Sequence, residues 1–198
     1  MVKDLLIKGN IKMGPEVYLF NLPPVQTCTP TDWCLHGKNG KPACYALGGN
    51  FVFENVKRGA LERLEASKQL DFVERMCTEI GRKDVKYFRF HASGDFYSEE
   101  YVHKVKQVAL AFPETLFRTT TRRRDLKEAI LDLASLPNFI VRESLDVCRP
   151  ISVMGLPFAA LDFLEVVKQE DSYLCKNNCV QCNYHCWTER TNMHFEQH

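Results

Sequence analysis

Strand and helix patterns alternate along the middle of this chain, and that alternation restricts the fold more than any other feature. Four segments are rich in β-branched and aromatic residues, which is typical of strands. They are residues 17–22, 85–90, 115–120 and 138–142. The last three repeat with a strand, loop and helix period of about 25 to 30 residues. We therefore expect parallel strands joined by right-handed crossovers.

Apolar residues between and after these strands recur at intervals of three and four, the period of an amphipathic helix. The pattern predicts helices over residues 53–80, 98–112, 125–133 and 158–168. Ser98 is a suitable N-cap, and Gly81 and Pro113 are placed to end the first two helices. Cys77 lies beside the apolar face of the first helix, and we predict it to be a core residue.

The length of 198 residues is typical of one domain. A complete eight-unit barrel needs about 250 residues, so an incomplete barrel or a small open sheet fits better. We predict an α/β fold, an incomplete (β/α) barrel of roughly four to six units with a cysteine-rich C-terminal tail. Residues 1–170 would form the partial barrel, with a three-cysteine loop at 28–44. Residues 171–198 would form a four-cysteine metal-binding tail packed on the same domain.

Charge and cysteine content limit the environment and the partners. Lysine plus arginine (26) nearly balances aspartate plus glutamate (25), so no overall field attracts nucleic acid or an anionic membrane. The N-terminus lacks the apolar segment of a secretory signal, and no stretch approaches a membrane span. We expect a cytoplasmic protein without a membrane partner. Nine cysteines in a reducing compartment indicate metal binding, although buried or disulfide-bonded thiols are the alternative.

Seven of these cysteines form two groups. The first contains Cys28, Cys34 and Cys44, and the second contains Cys175, Cys179, Cys182 and Cys186. Four thiolates saturate a metal centre, whereas three leave one position open for a small molecule. The spacing favours one or two [4Fe-4S] clusters, and zinc is the alternative at the four-cysteine group. Either group could instead use a histidine in place of one thiol, the candidates being His185, His194 and His198.

Polar residues follow the predicted strands, where the carboxyl ends of parallel strands place active sites. We predict six of them to be catalytic or to position a substrate: His91, Ser93, Asp95, Arg122, Ser144 and Asp146. His91 and Asp95 suit proton transfer, but a hydrogen-bonded turn explains Asp95 equally well. The Arg122–Arg123–Arg124 run could bind a carboxylate or a phosphate, or could be a solvated surface run.

Several motifs carry a resemblance to a known family. They are Thr27-Cys28 through Cys44-Tyr45-Ala46, Phe90-His91-Ala92-Ser93-Gly94-Asp95-Phe96-Tyr97-Ser98, Thr121-Arg122, and Cys182 through Trp187. From about Asn21 to His198 the sequence resembles the gene product 88 domain family of bacteriophages and their relatives, which implies the cytoplasm of a host cell. More distantly, the three-cysteine loop ending in Cys-Tyr-Ala is similar to that of radical S-adenosylmethionine enzymes. That similarity implies a partial barrel with S-adenosylmethionine bound at an open cluster.

The sequence thus supports two hypotheses about function. The first is an iron-sulfur protein, a redox or radical-type enzyme acting on a small anionic substrate with an electron donor as partner. Its open [4Fe-4S] cluster would be held by three cysteines, and a second cluster by four. The second is a non-enzymatic module, stapled by zinc or a cluster, that binds nucleic acid or a protein partner.

Overall fold

A mixed, mostly parallel β-sheet forms the centre of the protein. The computed structural model describes residues 4–37 and 40–196. The strands are β1 Ile7–Lys8, β2 Val17–Phe20, β3 Tyr87–Phe90, β4 Leu116–Thr121, β5 Phe139–Ser144, β6 Phe158–Leu161, β7 Tyr173–Leu174 and β8 Met193–Phe195. Their order in the sheet is β1-β2-β3-β4-β5-β6-β8-β7. β1 is antiparallel to β2, and all other neighbours are parallel.

Helices connect most of these strands. They are α1 Asp32–His36, α2 Glu54–Lys68, α3 Phe72–Lys83, α4 Glu99–Ala111, α5 Lys127–Ala134, α6 Glu165–Gln169 and α7 His185–Thr188. Short 3-10 turns occupy Tyr45–Leu47, Gly49–Val52 and Arg124–Leu126. Across residues 4–37 and 40–196, no helix combines the length and the apolar character that crossing a membrane requires.

The predicted α/β class and parallel pairing are confirmed, and all four strands predicted from composition are present. Within the described residues the sheet is open, because β1 and β7 each have a neighbour on one side only. The division into a partial barrel and a tail stays a prediction. Residues 173–195 contribute β7, α7 and β8, so this segment extends the same sheet.

One face of the sheet carries the main apolar core. Side chains alternate between the two faces of a strand, and the residues on this face are mostly aromatic. Phe88, Phe90, Phe117 and Phe139 are fully buried there against α2, α3, α4 and α5. The rings of Phe117 and Phe139 stack 5.7 Å apart across the β4–β5 pair. This layer explains why the helices between residues 54 and 134 lie together on one side.

The C-terminal segment covers part of the opposite face. Trp187 of α7 is buried with Val17, Leu19 and Met193 in a second apolar cluster. The Trp187 indole Nε1 donates to the Phe88 carbonyl at 2.9 Å, which satisfies its polar atom inside the cluster. Tyr184 stacks on Tyr87 with the ring centres 3.9 Å apart. The segment after residue 172 is therefore held by the sheet itself.

A buried arginine from β5 fastens this segment. Arg142 donates from Nη1 to the Cys186 carbonyl at 2.9 Å and from Nη2 to the Glu189 carbonyl at 2.6 Å. Its Nε donates to the Thr191 carbonyl at 2.9 Å. One planar guanidinium thus donates to three backbone carbonyl oxygens, one in α7 and two between α7 and β8. Burial lowers the pKa of Arg142 to about 10, which leaves the group charged at neutral pH.

The single helix predicted over residues 53–80 is wrong, since two helices, α2 and α3, occupy this region. The break falls at Gln69–Asp71, and Leu70, which was expected on the apolar face, is 98% exposed. Lys104 of α4 donates to the carbonyls of Ser67, Lys68 and Gln69 at 3.2 to 3.3 Å. A lysine from another helix thus caps the C-terminal end of α2, and no local sequence pattern predicts this contact. α3 also continues past Gly81 to Lys83.

The helix predicted over residues 158–168 is also wrong in its first half, which forms β6. β6 pairs with β5 on one side and with β8 on the other. The Phe158 amide donates to the Asn192 side-chain oxygen at 3.0 Å, so the tail helps to set this strand. The three-residue β8 was not predicted. Its pairing with β6 explains why an apolar run at helical spacing became a strand.

Replacing Arg142 with methionine should lower the free energy of unfolding by about 3 kcal/mol or more, because one buried and two partly buried hydrogen bonds to backbone carbonyls are lost. Chemical denaturation at neutral pH measures this loss. Arg190 donates to the carbonyls of Ala134 and Leu136 from a more exposed position, so Arg190→Met is the matched control with a smaller expected loss. Equal losses in the two variants would contradict the central role of Arg142.

Replacing Lys104 with methionine should cost about 1 to 2 kcal/mol of stability, because the α2 carbonyls lose their cap. The control is Lys106→Met on the same helix, which removes an ion pair to Asp132 at 2.5 Å. Exposed ion pairs contribute at most about 1 kcal/mol. Urea denaturation of both variants gives the comparison, and a Lys104→Met loss no larger than the control would contradict the capping role.

Candidate functional site

The three-cysteine loop begins at the carboxyl end of β2 and folds back on itself. Cys34 lies in α1, and the Cys44 amide donates to the Cys34 carbonyl at 3.2 Å. The return depends on Gly37, whose φ is +54° and whose missing Cβ would lie 2.3 Å from the Lys41 carbonyl oxygen. A side chain at this position would push the loop open. The glycine therefore brings two of the three predicted ligands into one short segment.

Cys34 is in contact with a buried carboxylate. Its Sγ lies 3.8 Å from Asp146 Oδ2, and the same oxygen accepts the Thr31 hydroxyl at 2.6 Å. Asp146 Oδ1 accepts the backbone amides of Cys148 and Arg149. The loop after β5 is thus joined to α1 through Asp146. The sequence prediction placed Cys34 and Asp146 at one edge, and the structure brings them together.

Arg122, at the end of β4, lies between this carboxylate and the thiols. Its Nε is 3.3 Å from Asp146 Oδ2, within ion-pair distance but without hydrogen-bond geometry. The Arg122 charge lowers the pKa of both Cys28 and Cys44, although burial outweighs it. Its backbone is fixed from both sides, since the amide donates to Asp95 and the carbonyl accepts from Arg149.

Asp95 is buried below this edge. It accepts the Phe96 and Arg122 amides at 2.8 Å and the Thr121 hydroxyl at 2.7 Å. Burial raises its pKa, and these three hydrogen bonds oppose that effect. The preceding Gly94 has φ +80°, and a Cβ there would lie 2.6 Å from Leu22 Cβ. The bond to Phe96 is local, but it reaches only the next residue and is not the Asx-type turn of the alternative explanation. The contacts to Thr121 and Arg122 add a tertiary role.

The other predicted residues occupy different surroundings. His91 is 3% exposed, with Nε2 at 3.0 Å from the Tyr101 hydroxyl and Nδ1 at 3.3 Å from the Thr119 hydroxyl. Ser93 donates to the Leu22 carbonyl at 2.6 Å. Ser144 is the last residue of β5 and pairs with Ala159. The catalytic roles of His91, Ser93 and Ser144 stay predictions.

The three arginines of the Arg122–Arg124 run each have a different partner. Arg123 forms a bidentate pair with Asp125, and Arg124 pairs with the buried Glu143 at 2.6 Å. Glu143 also accepts the Ser152 hydroxyl and the amides of Val153 and Met154, which fixes the loop after residue 150. Within the described part of the chain, Arg122 is therefore the member of the run whose Nε stays without a hydrogen-bond partner.

Two thiols of this group, Cys28 and Cys44, are in an environment that favours the neutral form. Burial raises the pKa of Cys28 to about 12, and the nearby Asp95 and Cys44 add to the effect. Burial also raises the pKa of Cys44, and Cys34 raises it further. Ligation by this group would therefore release protons.

The four-cysteine group follows β7 and is shaped by left-handed backbone. Cys175 and Cys179 flank Asn177 at φ +54°, and the chain turns again at Asn183 and Tyr184, at φ +49° and +54°. Asparagine tolerates this conformation, whereas tyrosine rarely adopts it, so the Tyr184 stack on Tyr87 supports the turn. The turn leads directly into α7 and buries Cys186. Burial raises the pKa of Cys175 and of Cys179, and Cys182 and Cys186 add to both effects.

Arg118 of β4 lies against this group. Its guanidinium is 4.5 Å from the Trp187 ring centre, and its residue is 7% exposed. Its Nε has no hydrogen-bond partner among the described residues. Burial lowers the Arg118 pKa, whereas Cys186, Cys179 and Cys175 raise it. Sequence reasoning missed Arg118, Arg142 and Glu143, although a charge in the middle or at the end of a buried parallel strand is a usable signal.

The histidines and the remaining cysteines have separate surroundings. His185 stacks on Tyr173 and its Nε2 lies 2.8 Å from the Thr191 hydroxyl, while His194 Nδ1 lies 2.8 Å from the Ser172 hydroxyl. His198 lies outside the described residues. Cys77 packs against the main core, in agreement with its prediction as a core residue. Cys148 is exposed.

The donor atoms do not form a preorganised single-ion site. Across residues 4–37 and 40–196, no three His, Cys, Asp or Glu side chains are grouped so that they could hold a metal ion. Mononuclear zinc requires four sulfurs about 3.8 Å apart, as Zn–S bonds of 2.3 Å in a tetrahedron dictate. Binding at either cysteine group would therefore require side-chain rotation.

His91 should make the protein less stable in acid. Burial, aided by the Arg89 charge, lowers its pKa to about 3, far below the unfolded value of about 6.5. Its stabilising contribution is complete above pH 6.5 and falls as the pH drops towards 3, because the unfolded chain binds the proton. Between pH 7.5 and 5 the loss should be about 2 kcal/mol.

Denaturation at both pH values should show that His91→Asn lacks this part of the pH dependence. Asparagine suits the site because His91 has φ +60°. His103→Asn is the control, since His103 is exposed on α4 and contacts Glu99 at the surface. A His91→Asn variant with the wild-type pH dependence would contradict the assignment.

Comparisons with known proteins match one family. The family model described as Gene product 88 matches residues 4–152, which include the three-cysteine loop, Asp95, Arg122 and Asp146 and end before the four-cysteine group. Neither the curated proteins nor the solved structures contain a match. The expected similarity to radical S-adenosylmethionine enzymes receives no support from these comparisons. Because the model covers well over half of the sequence, the chain belongs to the gene product 88 family.

Proposed function

We propose that this protein binds iron-sulfur clusters at its two cysteine groups and performs redox or radical-type chemistry at the three-cysteine group. The observation that carries the proposal concerns two arginines. Arg118 Nε and Arg122 Nε are the buried side-chain nitrogen or oxygen atoms without a hydrogen-bond partner in the described chain. Arg118 contacts Trp187, which lies in one apolar cluster with Cys175, Cys179 and Cys186. Arg122 Nε lies 3.3 Å from Asp146 Oδ2, the oxygen that Cys34 Sγ contacts.

A buried guanidinium donor without an acceptor costs several kcal/mol unless something anionic compensates it. Neutral thiols are weak acceptors and supply no charge. Thiolates that ligate a metal centre supply negative charge at the same positions. Arg118 has no carboxylate within ion-pair distance among the described residues, so it supports an anionic centre at the four-cysteine group. Arg122 has Asp146 within ion-pair distance, and its free Nε donor gives weaker support for an anionic centre at the three-cysteine group.

The spacing of the four cysteines favours a cluster over a single zinc ion, because it is close to the four-cysteine pattern of bacterial ferredoxins. Among the described residues no three His, Cys, Asp or Glu side chains are grouped to hold a metal ion, so either centre would require side-chain rotation. Zinc at the four-cysteine group is the competing outcome.

At the three-cysteine group, the ligand set would leave one position open for a small molecule. A cluster supplies electron transfer there. Arg122 lies beside it and would orient an anionic substrate, while Asp146 holds Arg122 and Cys34 in place. We further propose that the open sheet curves as an incomplete barrel, which would turn the ends of β2, β4 and β5 towards one another.

A binding module for nucleic acid is the alternative, and the arginine run was its expected contact surface. Arg123 and Arg124 are each occupied by an internal carboxylate, Asp125 and Glu143. Arg122 lies within ion-pair distance of Asp146, so all three arginines of the run have an internal carboxylate partner, and the run is a poor phosphate-binding surface. These ion pairs favour the enzyme hypothesis over the module.

Anaerobic purification and reconstitution should give a coloured protein that contains iron and acid-labile sulfide. Cys34→Ser and Cys182→Ser should each lose about half of both, because each removes a ligand of one cluster. Cys77→Ser is the matched control, since Cys77 packs in the main core away from both groups. Elemental analysis and the visible spectrum measure the result.

A colourless protein with stoichiometric zinc would overturn the iron-sulfur proposal. Iron retained equally in Cys34→Ser and Cys77→Ser would remove the three-cysteine group from it. Adding S-adenosylmethionine to the reduced protein tests that cofactor separately, and an unchanged spectrum would exclude it as the ligand of the open position.

A further inference from the structure

We propose that Arg118 is the counter-charge of an anionic four-thiolate centre formed by Cys175, Cys179, Cys182 and Cys186. This inference rests on the proposed function, because it requires that the four thiols bind a metal or cluster. In this proposal Arg118, which lies on β4, stabilises the metal-bound four-thiolate centre through its positive charge. It also predicts how the protein behaves when nothing is bound.

The surroundings of Arg118 leave one side of its guanidinium without a partner. Trp187 covers one face of the group at 4.5 Å, and the residue is almost completely enclosed. Its Nε lacks an acceptor within the described chain. Cys175, Cys179 and Cys186 belong to the same apolar cluster as Trp187, the ring that Arg118 contacts. The free donor therefore adjoins the same side chains that would carry the negative charge.

Arg142 provides an internal comparison, because it is also buried beside Cys186. Each of its three nitrogens donates to a backbone carbonyl, so Arg142 holds the C-terminal segment whether or not the thiols bind a metal. The Arg118 Nε, in contrast, donates to no carbonyl of the described residues. Two arginines on neighbouring strands thus have different functions, Arg142 in folding and Arg118 in compensating charge.

The charge of Arg118 has opposite effects in the two states of the centre. With neutral thiols, a buried and unpaired guanidinium destabilises the fold. Four thiolates around a divalent metal carry a net charge of about −2, which the guanidinium offsets at short range. Arg118 should therefore weaken the unloaded protein and strengthen metal binding.

Zn²⁺ is a suitable probe, because four thiolates satisfy its tetrahedral preference. The experiment uses the full chain with Cys34→Ser, so that binding reports mainly on the four-cysteine group. Competition with a chromophoric chelator gives the Zn²⁺ affinity, and thermal denaturation of the metal-free protein gives its melting temperature. The variants are Arg118→Met, Arg118→Lys and Arg142→Met.

Arg118→Met should bind Zn²⁺ about tenfold more weakly or worse, which corresponds to about 1.4 kcal/mol. Its metal-free melting temperature should stay equal to that of the parent or rise, because methionine packs well on Trp187. Arg118→Lys keeps the charge but loses the planar contact with Trp187, so its affinity should lie between those of the parent and Arg118→Met. Arg142→Met should melt at a lower temperature without metal.

Three outcomes would overturn the proposal: Arg118→Met binds Zn²⁺ as tightly as the parent, its metal-free melting temperature falls as far as that of Arg142→Met, or the parent binds no Zn²⁺. The iron and sulfide content of the unmodified chain tests the proposed function independently. A protein without iron but with Arg118-dependent Zn²⁺ binding would refute the iron-sulfur proposal and retain this one.

Discussion

The guanidinium of Arg142 joins the middle of the sheet to the carbonyl groups of Cys186, Glu189 and Thr191. These carbonyls lie in α7 and between α7 and β8, so the bonds hold the C-terminal segment against the face that the helices leave uncovered. Trp187 then reaches the Phe88 carbonyl from the same segment. The segment continues into β8, which lies between β6 and β7 in the sheet.

The two cysteine groups depend on different parts of this framework. The three-cysteine loop is attached to strand ends through the Asp146 and Arg122 contacts, which join the loops after β2, β4 and β5. The four-cysteine group is held by α7 against β4 and β5. In both places a strand arginine approaches the thiols, and burial keeps the neutral thiol forms favoured. Each group is therefore an electrostatic unit that includes an arginine.

Local patterns predicted the strands well because composition and burial agree there, as in the run from Val85 to Phe90. They failed where a distant group decided the backbone. Lys104 caps α2 from another helix, and the tail strand β8 converts residues 158–161 into β6. Among the site residues, the sequence located Asp95, Arg122 and Asp146 at strand ends. It gave no indication that His91 would be enclosed by Phe96, Tyr101 and Thr119.

The sequence alone determined the α/β class, the parallel pairing and the two groups of closely spaced cysteines, because periodicity and spacing are local properties. Only the tertiary structure decided which charges are satisfied. Arg122, Arg123 and Arg124 each meet a carboxylate, those of Asp146, Asp125 and Glu143. Among the described residues, Arg118 has no carboxylate within ion-pair distance and keeps a buried Nε without a hydrogen-bond partner. The energy of a buried charge depends on what surrounds it in three dimensions, and no one-dimensional pattern contains that information.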